Sequence, residues 1–219
     1  MIADRLIGGL AALLKKIPLD LGQGTVAEHT EGKQIALRLV PPGDGRAALD
    51  VGCREGHQSR WLTSRGYVVT SIDLEPSMPG AMTVNVDLGL PFADASFDLI
   101  WCSEVIEHLK DPAFAMAELR RVTRPGGTLV LTTPNSYAWL FRALSVFGLT
   151  PSRIQRKDHL HFFDHADIMR LCPDAKVYGY FPYLLVKKTI NQGVGALSPT
   201  FVMLIELPQS TATDAKSAR

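Results

Sequence analysis

From Ala47 onward the chain alternates short apolar runs with helical stretches, and that alternation is what most limits the folds open to it. AALDVG (47–52) reads as a buried strand closed by glycine, and HQSRWLTSR (57–65) as a helix closed by Gly66. YVVTSID (67–73), TVNVD (83–87) and FDLIWC (97–102) read as three further strands. DPAFAMAELRRVTR (111–124) reads as a helix with Asp111 as N-cap and Pro112 in its first turn, stopped by Pro125-Gly126-Gly127. TLVLTTP (128–134) is a fifth strand. This β-α-β-α order predicts a doubly wound, mostly parallel sheet with helices on both faces.

After Pro134 the rhythm changes. Residues 135–147 are apolar and aromatic and read as helical, whereas 150–161 are polar, basic and turn-rich. DHADIMRLC (164–172) is a short helix capped by Asp164, and 176–185 and 200–207 are the last two strands. The expected organisation is an N-terminal helical segment (1–45), a main domain (46–208) with an acceptor-side insertion (134–165), and a flexible tail (209–219). Ile2, Leu6, Leu10, Leu13 and Ile17 recur at helical spacing. A helix there would pack on the domain or cover its cleft; its apolar stripe and cationic end also suit weak contact with a membrane surface.

Hydrophobic residues make up 46% and charged residues 21% of the 219, enough for a core and incompatible with wholesale disorder. The net charge of +1 calls for no nucleic acid. Cys53, Cys102 and Cys172 are too few and scattered for a disulfide framework, which fits a cytoplasmic protein. No apolar run reaches the roughly 18 residues of a spanning helix.

In a doubly wound sheet, ligands bind outside the carboxyl ends of the strands. The first strand ends in Asp50-Val51-Gly52-Cys53-Arg54-Glu55-Gly56, and the second in Asp73-Leu74, with an acid placed to accept from ribose hydroxyls and an apolar side chain for a purine face. The third ends in Asp87-Leu88. Taken in order, LDVGCREG (49–56), SIDLEP (71–76), VDLGLPFADASFDLIWCSEVIEHL (86–109), LRRVTRPGGTLVLTTPN (119–135) and DHLHFF (158–163) resemble the class I S-adenosylmethionine-dependent methyltransferases. The resemblance implies a Rossmann-like seven-stranded sheet whose last strand is antiparallel, with S-adenosylmethionine as cofactor. It implies Asp50 and Gly52 near the methionine end, Asp73 on the ribose and Asp87 near the adenine; Gly56, Leu74, Leu88 and Cys102 complete the expected cofactor set. The family's turn usually reads D-x-G-x-G-x-G; here Arg54 replaces the middle glycine and Glu55 a small residue.

Glu104, Glu107 and His108 follow the fourth strand, and on a helical turn they would share one face. Two carboxylates and an imidazole suit a divalent ion, with His159 or His161 as a further ligand. The same turn also serves a metal-free site, with His108 as base, or a structural role. The set resembles that of the ubiquinone-biosynthesis O-methyltransferases and of the small-RNA 3′-terminal 2′-O-methyltransferases. Tyr137, Trp139, Phe141, Phe147, Phe162 and Phe163 are candidates for an apolar acceptor pocket or plain core, and Arg142, Arg153, Arg156 and Lys157 for an acidic acceptor or a solvated face. The expected activity is O-methylation of a small-molecule, quinone-like or glycan/lipid-precursor acceptor. A metal-dependent RNA 3′-end methyltransferase and a degenerate scaffold subunit, to which Arg54 and Glu55 point, are the alternatives.

Overall fold

The computed structural model describes residues 30–156, 158–182 and 187–209. The helix expected near residues 2–17 and the tail from 210 lie outside them, as do residues 183–185 of the expected sixth strand. In chain order the elements are α1 (Glu31–Leu39), β1 (Ala47–Val51), α2 (His57–Ser64), β2 (Val68–Asp73), β3 (Met82–Thr83), β4 (Phe97–Ser103), α3 (Pro112–Val122), β5 (Thr123–Pro134), α4 (Trp139–Val146), α5 (Pro151–Ile154), α6 (His165–Leu171), β6 (Lys176–Phe181), β7 (Lys188–Ile190), α7 (Val194–Leu197) and β8 (Thr200–Glu206). One sheet runs β3-β2-β1-β4-β5-β8-β6-β7. The pairs from β3 through β5 are parallel, and β8 is antiparallel to both β5 and β6.

The sheet thus has the expected parallel body and antiparallel last strand, with eight strands rather than seven. The added strand is β7, three residues paired antiparallel at the edge of β6. TVNVD is not a continuous strand. β3 is only two residues long, and Val86–Leu88 forms a 3₁₀ turn because the Asn85 side chain accepts from the Asp87 amide.

Neighbouring residues in a strand face opposite ways, and here each face is covered. Leu49, Val51, Ile100, Leu129 and Leu131 pack under α3 (Met116, Leu119, Val122) and α6 (Ile168). Ala48, Leu99, Trp101, Val130 and Val202 pack under α1 (Ile35, Ala36, Val40) and α2 (Leu62). α1 is therefore part of the domain core, although residues 1–45 read in sequence as a separate segment. Gly32 permits its close approach: a Cβ there would lie 2.8 Å from the Thr200 methyl.

The cap signals in the sequence are physically realised. The Asp111 carboxylate accepts from the amides of Ala113 and Phe114, and Asp164 and Asp167 form a reciprocal capping box at the start of α6. Among the described residues no helix is long and apolar enough to cross a membrane.

Candidate active site

A cleft of about 500 Å³ opens at the carboxyl ends of β1, β2 and β4. Its floor is the turn after β1. Gly52 adopts φ +78°, and its amide and that of Cys53 donate to the Ile72 carbonyl at 2.9 and 3.1 Å. A Cβ on Gly52 would fall 2.4 Å from Cγ2 of Val105, so the β4 loop can close against this turn only over a glycine. Arg54, where the family pattern has glycine, also holds a left-handed conformation (φ +45°). Its side chain is exposed at the cleft margin, and its carbonyl accepts from the amides of Ser77 and Met78.

Asp73 ends β2 facing the cleft. One carboxylate oxygen accepts from the Arg54 amide and the other from the Glu75 amide, each at 2.9 Å. The residue thus ties the two loops together while each oxygen retains acceptor capacity for a ligand. Leu74, 60% exposed, lines the cleft beside it. Asp87 lines the far end, held by the Lys110 amide at 2.8 Å.

Other expected cofactor contacts lie elsewhere. Asp50 is buried behind the turn, where its carboxylate accepts from the Ser59 hydroxyl, itself bonded by Ser71; burial pushes its pKa up to about 6. Gly56 caps α2 and packs on Met78, away from the cleft lining. Cys102 is sealed in the core beneath α3, because its position in β4 points inward. Leu88 is 83% exposed and turned to solvent rather than into the cleft.

The acidic cluster differs from the helical face expected for it. Glu104 has φ +57°, which breaks any helix there, and the turn that follows is a 3₁₀ turn over Ile106–His108. The two glutamates therefore reach different partners on β5. Thr132 donates to Glu104 at 2.8 Å, and Thr133 donates to Glu107 at 3.0 Å. Burial raises both carboxyl pKa values, that of Glu104 to about 7, and the neighbouring Glu104 charge adds to the rise at Glu107.

Glu107 meets two histidines instead. Its ligand atoms and those of His108 and His159 all lie within 4.8 Å of one another. Glu107 Oε1 and His159 Nδ1 are buried with no hydrogen-bond partner, which is unusual for native polar atoms. The His108 ring stands edge-on to that of His159, with centroids 4.8 Å apart. His108 Nδ1 lies 3.0 Å from the Asp158 carbonyl. A carbonyl can only accept, so Nδ1 carries a proton, and in the Nδ1–H tautomer the lone pair is on Nε2, 4.0 Å from Glu107 Oε1. Burial and the adjacent His108 push the pKa of His159 down to about 4, which keeps it neutral at pH 7.

His161 is not part of this group. Its ring stacks on Phe163 at 5.7 Å beside a separate depression lined by Lys110 and Arg170. The expected aromatic acceptor pocket is also divided: Phe141 and Phe163 are buried, whereas Trp139 and Phe147 are exposed. Thr132, Thr133 and Asp158 join the site without having been singled out in the sequence, and of the four cations considered for an acidic acceptor Arg156 lines the cleft. The one signal for the threonines was their place at the end of a strand, where side chains reach the ligand edge of the sheet.

Comparison with known proteins follows the same outline. Residues 49–131 match the family model described as "Methyltransferase domain". A malonyl-[acyl-carrier protein] O-methyltransferase of Erwinia pyrifoliae is 35% identical over 124 residues, covering 48% of this chain and 45% of that protein. A ubiquinone biosynthesis O-methyltransferase of Aromatoleum aromaticum is 29% identical over 150 residues, covering 60% and 63%. The chain thus spans about half the length of the curated relatives it matches. In fold it is similar to the crystal structure of Burkholderia thailandensis 1,6-didemethyltoxoflavin-N1-methyltransferase with bound S-adenosylhomocysteine, at TM-score 0.57 and 15% identity over 84% of this chain and 82% of that one.

Proposed function

Given that this chain belongs to the class I S-adenosylmethionine-dependent methyltransferase superfamily, we propose that it transfers a methyl group from S-adenosylmethionine to an oxygen of a small-molecule acceptor. The observation that carries the reading is the Asp73 carboxylate at the end of β2, facing a cleft that Glu104 and His108 also line. In this reading Asp73 accepts from the ribose hydroxyls, Leu74 packs on the purine, and the Gly52–Arg54 turn accommodates the methionine end.

The bound sulfonium supplies an activated methyl group. The chain's part is to hold the acceptor oxygen in line with that methyl and to manage the proton. In this reading His108 Nε2 would take the acceptor's hydroxyl proton as the oxygen received the methyl group from the sulfonium. The Asp158 carbonyl on Nδ1 fixes the ring in the tautomer that this step requires.

A second reading rests on the orphaned atoms. Glu107 Oε1, His108 and His159 form a donor set suited to a divalent ion, which would polarise an acceptor hydroxyl. Glu104, bonded to Thr132, lies outside that set. An acyl-carrier or quinone-type acceptor is consistent with the relatives and with work in the cytoplasm.

The test combines titration calorimetry with S-adenosylhomocysteine and radiolabelled methyl transfer to catechol and carboxylic acid acceptors, with and without chelator. Binding together with chelator-resistant transfer that is lost in His108→Ala supports the base. Transfer abolished by chelator and restored by Mg²⁺ or Mn²⁺ assigns the ion. No binding of S-adenosylhomocysteine overturns the enzyme reading in favour of a scaffold.

A further inference from the structure

α4 turns an apolar face outward. Helices on a domain surface ordinarily expose polar side chains. Here Trp139, Ala143, Val146 and Phe147 recur at intervals of four, three and one along the exposed side, while Phe141 anchors the opposite side in the core. Val146 is 82% and Phe147 72% exposed, and the stripe is about 12 Å long at 1.5 Å per residue. A contiguous outward stripe of this kind marks an interaction surface.

Charge says what the surface meets. An arginine stands at each end of the stripe. The Arg142 guanidinium is held at the Tyr137 carbonyl by a 2.8 Å hydrogen bond, and Arg153 at the Gly148 carbonyl next to Phe147. From Ser136 to Arg153 the sequence contains no Asp or Glu and two arginines, in a chain whose net charge is only +1. A second copy of the same face would set arginine against arginine. Residues 1–29 carry Asp4, Asp20 and Glu28 against Arg5, Lys15 and Lys16, and so offer no net negative charge. Trp139 and Arg142 border a depression shared with Asp164 and His165, whereas Val146 and Phe147 stand largely clear of the protein, which suits a deformable partner that admits projecting side chains. Apolar side chains flanked by cations are the pattern of helices that lie in the interface of anionic bilayers.

We propose that the outward face of α4, with Arg142 and Arg153, docks this protein peripherally on an anionic lipid surface. α4 follows the carboxyl end of β5, the same edge of the sheet as the cleft, so docking holds the cleft mouth close to the bilayer. The inference is independent of methyl transfer, because it concerns attachment alone.

The test is co-sedimentation of the full chain with vesicles of phosphatidylcholine alone and of phosphatidylcholine with phosphatidylglycerol. Binding is expected to the anionic vesicles only. It should fall at least tenfold in Val146→Glu and in Phe147→Glu, and about fivefold for each of Arg142→Gln and Arg153→Gln. Circular dichroism melts confirm that the variants fold, which their exposed positions favour. No binding to anionic vesicles overturns the proposal. So does binding unchanged in Val146→Glu and Phe147→Glu but lost in Leu10→Glu with Leu13→Glu, which assigns the contact to the N-terminal stripe. A wild-type dimer that Phe147→Glu dissociates, with no vesicle binding, assigns the face to a second copy and overturns it as well.

Discussion

Replacing Asp73 with alanine separates its two roles, in the turn and in the cleft. Its carboxylate holds the amides of Arg54 and Glu75, each at 2.9 Å. A hydrogen bond to a charged group contributes roughly 1.5–3 kcal/mol, and the lower figure applies in this solvent-exposed turn. Losing both costs about 3 kcal/mol, which in a domain of this size lowers the melting temperature by roughly 6–12 °C. Asn keeps one acceptor oxygen, so Asp73→Asn should lose about half as much. Calorimetry below the melting range then reads the second role, with S-adenosylhomocysteine binding at least tenfold more weakly to both variants. An Asp73→Ala protein that melts within 2 °C of wild type would refute the turn-clamp argument, whatever its affinity for the ligand.

Gly52→Ala places a methyl 2.4 Å from Val105 Cγ2 at φ +78°, and should cost about 2–3 kcal/mol by urea unfolding and weaken S-adenosylhomocysteine binding; a neutral change would contradict the close approach. Arg54→Gly should be neutral to within about 0.5 kcal/mol, because relief of the left-handed conformation offsets the greater freedom of the unfolded chain, whereas Arg54→Val should cost more than about 1 kcal/mol; equal effects in urea would contradict this. Asp50 binds its proton more tightly in the folded state, with its pKa raised from 3.8 to about 6, so its contribution is full below pH 3.8 and is lost as pH rises through 6. Between those limits wild type should lose roughly 3 kcal/mol relative to Asp50→Asn, and parallel stability–pH curves for the two would rule the buried proton out.

The parallel half of the sheet was legible because its strands are buried on both faces and bounded by punctuation. AALDVG, YVVTSID and FDLIWC each fall within one residue of β1, β2 and β4. Asp111-Pro112 and Asp164 announced helices whose caps form as expected, and at the second Asp167 completes a capping box. The cleft lining was legible at Asp73, which ends β2, and at Asp87, which stands in the 3₁₀ turn after β3. It was misread where local backbone decides direction. Glu-x-x-Glu-His has the spacing of a helical face, but the left-handed Glu104 sends its carboxylate to Thr132 and leaves Glu107 with the histidines. Cys102 follows the alternation of β4 into the core, a direction that depends on which residue of the strand begins the count. His159 and His161 lie two residues apart in the sequence, yet one faces His108 and the other stacks on Phe163. Tertiary contacts between β5 and the loop after β4, which no sequence period encodes, set where the two glutamates point.

A crystal structure of the protein with S-adenosylhomocysteine tests the central claim most directly. The account predicts the ribose hydroxyls within about 3 Å of the Asp73 carboxylate, the purine on Leu74 and the sulfur directed toward Glu104 and His108. Ligand bound elsewhere, or bound here with the ribose away from Asp73, would contradict it.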